Sequence, residues 1–578
     1  SSGSYDYKKG SLSNNRILFK DVFIKNLFLK EYTYLQKINE KLLIFLKDHL
    51  NKKFSLNNDQ NYWRIILYHW LTRYTSHNYN KWKLINKLKK KSSTKYCVEN
   101  FSSDLDTKIN KDFIHYASKL NCDYYNFFIT KRIINYCKLK NIIFLNNNNI
   151  KKKNKLKNPE FNFSLKFFCL KYIDLIISKI AFKYNDIFFD TFYYPSKYFI
   201  NLCFSLNLIP VKNTGLFTNK NKVNLRLYSS KERMNSLSKL NKKNSYDIFY
   251  EYLKNNILID LPMSYFENYE ELKAQIIKKA QRKKTIISMH SLFNNDLFKI
   301  YTAETKKIGS RVILVDHGGQ IHKYRAVYNY TNIISDEVVK WSKGGKSKKE
   351  ITNLSPTKFK PDFKIQNTSD KCCTIVSTEN NKFNFMTHSI IGLEDDIKEF
   401  KDLIIFAKSL NSNIKKKLRF RTKHIQTIGK MDKFSKIFGK VAADIYSPKN
   451  NFVNCMSKSK LLIFTYPQTA FLDSMYYNKP SILLWSSLWI YQDAFYKHIR
   501  IFKKQNMAFE NMKTASAFIN SNWNTIDDWW GSKKVQTARK DFLKDFFNVD
   551  KNWHQNWIIY LKKQKMKLES NARIYKKL

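Results

Sequence analysis

The pattern that most restricts the fold is an alternation of short apolar runs with helical stretches, which occurs in two separate blocks. In the first block, an apolar run at Thr285–Met289 is followed by a helical stretch over Asp296–Lys307, by Gly309, and by a second run at Arg311–Val315. Short apolar runs are typical of buried strands, and a strand-helix-strand unit within one sheet requires parallel strands with a right-handed crossover. The first block therefore predicts a parallel α/β sheet.

The second block has the same alternation and begins at Cys373–Ser377. After this first strand, the pattern predicts a helix over Asp395–Leu410, a strand at Lys417–Arg421, a strand at Lys460–Phe464, a helix over Ala470–Tyr477 and a strand at Ser481–Trp485. Two such blocks joined by a linker predict two doubly wound, Rossmann-like domains that face each other. Ligands are then expected between them, beyond the carboxyl ends of the strands.

The chain as a whole is long enough for about three structural units. We predict five segments: a helical N-terminal extension at 1–90, a first Rossmann-like domain at 91–345, a charged, Gly-containing linker at 346–365, a second Rossmann-like domain at 366–520, and C-terminal helices at 521–578. Asn146–Lys153 is polar and of low complexity, and it predicts an exposed insertion near 145–160.

The formal net charge of +57 is the most conspicuous feature of the composition. A field of this strength attracts polyanions or an anionic membrane face. The lysines are nevertheless spread along the whole chain among Asn, Ile, Tyr and Phe, as AT-rich coding sequence produces. No C2H2 spacing, RNP-like aromatic motif or basic region preceding heptads is found, so we expect no specific nucleic-acid partner and at most a peripheral contact with an anionic membrane.

The cysteines and the hydropathy pattern indicate the compartment. Eight cysteines are scattered without a CxxC pair, which predicts reduced thiols and no zinc site. No run approaches the roughly 20 apolar residues of a membrane span; the longest candidate, Phe167–Phe182, is interrupted by Lys171, Asp174 and Lys179. With no visible signal peptide, we predict a cytoplasmic protein, either free or peripheral at the inner face of the plasma membrane.

A polar turn in the second block predicts an anion site. Thr465 and Gln468 follow the strand that ends at Phe464, and Thr469 is placed to cap the next helix. A nucleotide phosphate would gain from the free amide groups and the dipole of that helix, while Asp473 would accept hydrogen bonds from ribose hydroxyls. An ordinary capped helix with a surface aspartate is the alternative interpretation.

Cations follow another strand of the same block. Arg421, Lys423 and His424 would point toward the cleft and neutralise the phosphate of a leaving nucleotide. A solvated basic turn is the alternative. Because no acid pair with metal-binding geometry lies at a strand end, we predict neither an obligatory metal nor a cofactor.

Candidate catalytic residues follow the two strands of the first block. His317 comes after the second of these strands, and Gly318 and Gly319 permit a tight turn with close approach of a ligand. His290 follows the first strand and is expected at the same edge of the sheet. Two imidazoles there would serve as a general base and as an electrophilic or phosphate-binding partner. Asp316 is the alternative base, or the nucleophile if configuration is retained.

The segment Thr465–Asp473, followed by Asn478-Lys479-Pro480, resembles the donor-nucleotide loop of GT-B glycosyltransferases, and in particular that of the O-antigen biosynthesis transferase family. The other motifs that carry this resemblance, between about Tyr32 and Phe547, are Tyr62-Trp63-Arg64, Asp316-His317-Gly318-Gly319, Ile334-Ser335-Asp336 with Trp341, and Ile526–Trp530 with Val535-Gln536. The sequence departs from the family at Asp473, where the family often has glutamate.

The resemblance implies a GT-B-like α/β fold and sugar transfer. The segment 366–520 would hold a nucleotide sugar, 91–345 would present a hydroxyl of a bacterial surface polysaccharide or lipid-linked glycan near His317, and the last helix would brace the first domain. Remote similarity to capsule Kdo and ulosonic-acid transferases makes a CMP-linked ulosonic or nonulosonic acid the first expected donor, with UDP- and GDP-sugars as alternatives. A non-catalytic protein that binds polyanions or membrane surfaces, and a sugar epimerase, are the competing hypotheses.

Overall fold

The structure, a computed structural model, is an α/β protein built around two large parallel sheets. It describes residues 5–6, 11–12, 25–89, 96–100, 110–146, 176–211, 217, 232–233, 235, 246–282, 284–319, 321, 326–343, 349–359, 365, 371–378, 393–422, 429–440, 443–444 and 451–577. The predicted insertion near 145–160 therefore lies, apart from its first residues, outside the described residues.

Helices precede, connect and follow the strands. In the first half of the chain they are α1 (Lys25–Lys53), α2 (Gln60–Lys89), α3 (Phe113–Lys119), α4 (Asp123–Tyr136), α5 (176–184), α6 (Ser196–Ser205), α7 (Ile248–Asp260), α8 (Tyr269–Ile277), α9 (Ser291–Asn294), α10 (Asp296–Lys307) and α11 (Ala326–Ile334). In the second half they are α12 (Leu393–Lys408), α13 (Ser412–Lys415), α14 (Lys430–Phe438), α15 (Phe452–Lys458), α16 (Thr469–Tyr476), α17 (Asp493–Lys504), α18 (Met512–Asn522), α19 (Ile526–Gly531), α20 (Lys533–Phe546) and α21 (Trp553–Lys577).

Two pairs of short strands precede the large sheets. β1 (Tyr5–Asp6) and β2 (Ser11–Leu12) are antiparallel, whereas β3 (Tyr96–Asn100) and β4 (Ile142–Asn146) are parallel. The first large sheet follows, and its five parallel strands lie side by side in chain order: β5 (Ile187–Asp190), β6 (Thr285–Ser288), β7 (Arg311–Val315), β8 (Glu337–Val339) and β9 (Glu350–Ile351).

The second large sheet also has five parallel strands, but their order differs from the chain order. They are β10 (Cys372–Ser377), β11 (Leu418–Thr422), β12 (Ser459–Phe464), β13 (Ser481–Leu484) and β14 (Ala508–Phe509). The spatial order is β11-β10-β12-β13-β14, so the chain first moves to one side of β10 and then to the other. This reversal makes the sheet doubly wound and creates a switch point between β10 and β12, where ligands bind in such sheets.

The N-terminal helices share one hydrophobic core with the first sheet. Leu42 and Leu46 of α1 and Trp63 of α2 belong to the same buried cluster as Ile286 and Val312 of the sheet. The helices of the predicted N-terminal extension at 1–90 are therefore packed into the core of the first domain. Helical periodicity shows which face of a helix is apolar, but it does not identify the surface that covers this face.

A second buried cluster connects the two sheets. It contains Ile287 and Ile313 from the first sheet together with Leu462, Phe464 and Leu483 from the second. A third cluster lies on the other face of the second sheet, beneath α12 and α18. Side chains of both parallel sheets thus belong to one continuous apolar cluster. The predicted GT-B-like α/β fold is confirmed, with the difference that the described strands of the first sheet run in chain order, so that only the second sheet is doubly wound.

The segment between the sheets differs from the prediction at its start. The linker was expected at 346–365, yet Glu350 and Ile351 pair with Val338 and Val339 as the fifth strand of the first sheet. A strand of two residues is too short to produce a recognisable hydrophobic period, and its lysine-rich surroundings are typical of a loop.

The C-terminal helix returns to the first sheet. On α21, the Tyr560 hydroxyl and the Gln564 amide donate to the Glu337 carboxylate at 2.7 and 2.9 Å. Preceding helices pack on the second domain, where the Trp530 indole donates to Asn478 Oδ1 at 3.0 Å. The tail thus connects both domains, and none of the helices that the structure describes is long and apolar enough to cross a membrane.

Candidate functional site at the facing sheet edges

A buried carboxylate lies at the carboxyl end of β5. The side chain of Asp190 accepts hydrogen bonds from the hydroxyls of Ser288 at 2.7 Å, Ser291 at 2.9 Å and Thr191 at 3.1 Å. Burial raises the pKa of Asp190, while these hydroxyl donors oppose the shift because they stabilise the carboxylate. The edge of the first sheet therefore holds a tightly bonded acid.

The residue that follows this acid has an unusual backbone. Thr191 has a φ of +48°, in the left-handed region that β-branched residues rarely adopt. Its hydroxyl accepts a hydrogen bond from the backbone N–H of His290 at 3.2 Å while donating to Asp190. Local strain at a sheet edge persists only where surrounding contacts hold it, and here those contacts fix the start of the segment that carries His290.

The two predicted histidines lie together at this edge. The ring centroids of His290 and His317 are 5.6 Å apart in an edge-to-face arrangement. His290 is half-buried, and its Nδ1 lies 3.2 Å from the amide nitrogen of Asn294, whereas His317 is exposed. Two imidazoles of different exposure therefore occupy the position that strand-end reasoning gave them.

Asp316 has a different environment from its neighbour His317. Its side chain is buried and accepts a hydrogen bond from the backbone N–H of Trp341 at 3.3 Å, and its own N–H donates to Val339 at 2.9 Å. These contacts link the ends of β7 and β8. The imidazole of His317 is thus exposed at this position, whereas the carboxylate of Asp316 is buried.

The edge of the second sheet presents hydroxyl and amide groups at the switch point. Thr465, directly after β12, donates through its hydroxyl to the hydroxyl of Ser377 at the end of β10, at 3.2 Å. The side-chain Nε2 of Gln468 is buried without a hydrogen-bond partner within the described part of the chain. A buried amide without an acceptor costs about 1–3 kcal/mol, so a ligand acceptor there would be favoured.

Thr469 does not cap α16 as predicted. The helix begins at Thr469 itself, and the residue before it, Gln468, has the extended backbone of an N-cap without a side-chain cap bond. The hydroxyl of Thr469 instead accepts a hydrogen bond from the backbone N–H of Gly319 at 3.2 Å. This group therefore joins the two domains, a contact that local spacing could not reveal.

The glycine pair is required by this contact. A Cβ on Gly318 would lie 2.4 Å from Thr469 Oγ1, and a Cβ on Gly319 would lie 2.2 Å from Leu472 Cδ1. Neither glycine has a positive φ, so the requirement is for space rather than for a turn conformation. The sequence predicted close approach of a ligand at these glycines, whereas in the structure the groups that approach them belong to helix α16.

Asp473 lies one turn into α16 and is half-buried. Burial raises its pKa to about 7, and only the nearby Lys358 ammonium is an opposing influence. Lys358 is exposed in the segment that connects the domains, with its Nζ 5.8 Å from the centre of the Tyr193 ring. Asp473 therefore faces the connection between the domains, and its contact with ribose stays a prediction.

Of the three predicted cations, Arg421 lies in the described part of the chain. Arg421 is buried, and its guanidinium forms an ion pair with Asp444 at 2.9 Å. Its charge is therefore compensated within the second domain. Lys423 and His424 lie outside the described residues.

Sequence reasoning missed a second buried carboxyl group. Burial raises the pKa of Glu399, on α12, to about 7, although the indole of Trp489 donates to it at 3.1 Å. The Trp489 ring also stacks near Tyr466, in the turn after β12, at a centroid distance of 6.1 Å. An acid within a helical pattern gives no local signal, whereas Asp190, directly after an apolar run, could have been found by the strand-end argument.

The described residues contain no group of three or more His, Cys, Asp or Glu side chains arranged to hold a metal ion. The two edges present imidazoles, hydroxyls, amides and carboxyls.

The comparisons with known proteins concern both folds and sequences. The chain is similar to TarM, whose crystal structure is known, with 10% sequence identity and a TM-score of 0.29. The similar region covers 50% of this chain and 57% of the TarM chain. The structure of the wall teichoic acid polymerase TagF is 11% identical with a TM-score of 0.30, covering 51% of this chain and 86% of that one. No sequence among the curated proteins matches the chain.

A family model gives the more extensive match. The model described as LIC12162 family transferase matches residues 13–561. This range includes both large sheets, the two histidines, the turn after β12 and the first part of the returning helix, up to Leu561. The predicted transferase class is thereby confirmed, and the chain belongs to the LIC12162 family of transferases.

Proposed function

We propose that the chain is a GT-B-type glycosyltransferase that moves a sugar from a nucleotide-activated donor to a bacterial surface polysaccharide or lipid-linked glycan. The observation that carries this proposal is the direct contact between two chemically different sheet edges. The Gly319 N–H donates to Thr469 Oγ1 at 3.2 Å, next to the histidine pair on one side and to the polar turn of the switch point on the other. A donor and an acceptor held at these edges would meet in one cleft.

The donor would be held by the second domain. Thr465 and Gln468 lie at the switch point, and the buried Nε2 of Gln468 needs an acceptor such as a phosphate or base oxygen. We take a CMP-linked ulosonic or nonulosonic acid as the first donor and UDP- and GDP-sugars as the alternatives. The exposed Lys358 beside Asp473 supports an acidic donor, since its ammonium is a suitable partner for a sugar carboxylate.

The acceptor would be activated by the first domain. His317 would take the proton of the acceptor hydroxyl while the oxygen forms its bond to the anomeric carbon and the nucleotide leaves with the electrons of the broken bond. His290, with its ring centre 5.6 Å away, would bind the leaving phosphate or orient the acceptor. Because this scheme needs no metal, we propose a metal-independent reaction without a cofactor.

The proposed setting is the cytoplasmic side of the membrane. The net charge of +57 supports peripheral attachment to anionic lipids at the inner face of the plasma membrane, where a lipid-linked acceptor would be reached. No specific nucleic acid is part of the proposal.

The experiment that tests this function is thermal unfolding with CMP, UDP and GDP. One nucleotide should stabilise the chain in a saturable way, by about 2.7 kcal/mol at a concentration 100 times its Kd. Gln468→Ala should remove most of this stabilisation, whereas Gln505→Ala, an amide at the end of α17, should retain it. Melting temperatures that all three nucleotides leave unchanged would contradict the donor site.

The high positive charge favours one competing function, that of a non-catalytic protein binding polyanions or membrane surfaces. Such binding would fall steeply with salt and would not depend on nucleotide sugars. An epimerase, the other alternative, would form product without any acceptor. Turnover measured with and without acceptor, at two salt concentrations, separates the three.

A further inference from the structure

We propose that a groove on the N-terminal helices binds a sugar ring of an extended glycan acceptor, away from the reaction site. The groove lies between α1, α2 and α7 and has a volume of about 480 Å³. This aromatic groove is lined by Tyr34, Tyr79, Trp82, Lys83, Asn86, Lys87 and Phe249. The biological role of this groove rests on the proposed function, but the binding of a glycan to it can be measured in the absence of sugar transfer.

The wall of the groove consists of aromatic rings set at angles to one another. Tyr34 and Tyr79 have centroids 5.7 Å apart with planes inclined by 49°, and Tyr79 meets Phe249 at 5.3 Å and 62°. Trp82 lies 5.4 Å from the same phenylalanine. Rings inclined in this way form a concave surface. The electron-rich faces of such rings attract the polarised C–H groups on the apolar face of a pyranose.

Two polar side chains of the groove are bonded to carboxylates at its border. Lys83 forms an ion pair with Glu31 at 2.8 Å, and the Tyr34 hydroxyl donates to the Asp247 carboxylate at 3.0 Å. The groove thus offers both donors and acceptors. Sugar hydroxyls, which donate and accept at once, match this surface.

The position of the groove suits a remote part of the acceptor. Helix α2 connects it to the reaction site, because the ring of His69 on α2 lies 5.3 Å from Phe293, which in turn lies 6.3 Å from His290. From position 69 to Trp82, the helix rises by roughly 20 Å at 1.5 Å per residue. Binding at this distance holds a chain of several sugars without touching the reacting hydroxyl, and so adds affinity for polymeric acceptors.

The test uses an array of immobilised bacterial polysaccharides with malto-oligosaccharides as reference, probed with the full chain in the absence of nucleotide. The wild-type chain should bind at least one polysaccharide. Trp82→Ala should weaken this binding about 10-fold or more, as expected when an aromatic anchor is removed, and Asn86→Ala should weaken it by a few-fold. Tyr184→Ala, which removes an exposed aromatic ring elsewhere in the first domain, is the matched control and should bind like the wild type.

Two outcomes would overturn the proposal: no binding of the wild-type chain to any glycan, or equal binding by the wild-type chain and both groove variants. Trp82 also contacts the buried Tyr252 ring, so its replacement can disturb the fold. Asn86→Ala keeps that packing and leaves the proposal testable. The nucleotide-induced change in melting temperature should be the same in all variants. If no nucleotide changes the melting temperature of the wild-type chain, this result would contradict the proposed function but not the proposal that the groove binds a glycan.

Discussion

The two large sheets have the same number of parallel strands but carry different chemistry at their carboxyl edges. The first sheet, in chain order, ends in titratable groups: His290, His317 and the buried Asp190. The second sheet reverses its order at β10, and at this switch point it presents neutral hydroxyl and amide groups, those of Thr465 and Gln468. The proposed function thus assigns proton transfer and ligand holding to different domains.

This difference shows why neither edge forms a site alone. A switch point creates a crevice for a ligand, but neutral hydroxyls and amides cannot take up a proton at neutral pH. The imidazoles can, yet the described strands of the first sheet have no switch point. The contact of Gly319 with Thr469 brings the two edges together, so changes on either side should affect different steps of the same reaction.

Replacing His317 should have the largest effect on turnover and should show whether proton transfer and nucleotide binding are properties of different domains. His317→Ala removes the exposed imidazole, and turnover should fall by about 10²–10⁴-fold, the usual contribution of a general base. Nucleotide-induced stabilisation should not change, because the second domain provides it. His554→Ala, which removes an imidazole on α21, is the control. Wild-type turnover of His317→Ala would assign the proton to another group.

Adding a methyl group at Gly319 tests the contact between the two sheet edges. Gly319→Ala would place a Cβ 2.2 Å from Leu472 Cδ1, and we expect a displacement of the edges that lowers turnover by about 10²-fold. Overpacking should also lower the free energy of unfolding by about 1–3 kcal/mol. Gly531→Ala is the matched control, because no atom lies within 4 Å of its added Cβ. Equal activity and stability of both variants would show that the edges need not be close.

Replacing Thr191, the residue with the strained backbone at the first edge, should have a smaller effect on turnover. Thr191→Ala removes the hydroxyl that holds the His290 N–H and contacts Asp190, so we expect turnover to fall about 10-fold through poorer positioning. Thr191→Ser should restore most of the activity, since serine keeps this hydroxyl. A change in the pH profile of turnover would accompany a positioning effect. If alanine and serine behave alike, the hydroxyl has no such role.

The strands and helices that were predicted in the two blocks lie within about two residues of their observed bounds, because their apolar runs are bounded by Gly, Pro and charged residues. No pattern predicted α14, α15, α17 or β14 of the second block. The proximity of His290 and His317 also followed, since adjacent parallel strands end at the same edge. The partner of Thr469 could not be predicted, because it lies in the other domain. The burial of α1 and α2 in the first core, and the carboxyl of Glu399 within α12, likewise depend on packing that no local pattern records.

The least effect on turnover is expected for Asp473, a titratable group on the helix that follows the neutral turn of the second edge. Since burial raises its pKa to about 7, the folded state binds more protons than the unfolded state between about pH 4 and pH 7. The free energy of unfolding should therefore fall as the pH rises through this range. Asp473→Asn should remove roughly 1–2 kcal/mol of that pH dependence, so that it is more stable than the wild type above pH 7. Turnover should change only two- to three-fold, about 0.4–0.7 kcal/mol, because an amide oxygen still accepts a ribose hydrogen bond. Urea unfolding between pH 4 and pH 8 measures the difference, and parallel curves for the two proteins would show that Asp473 is solvated.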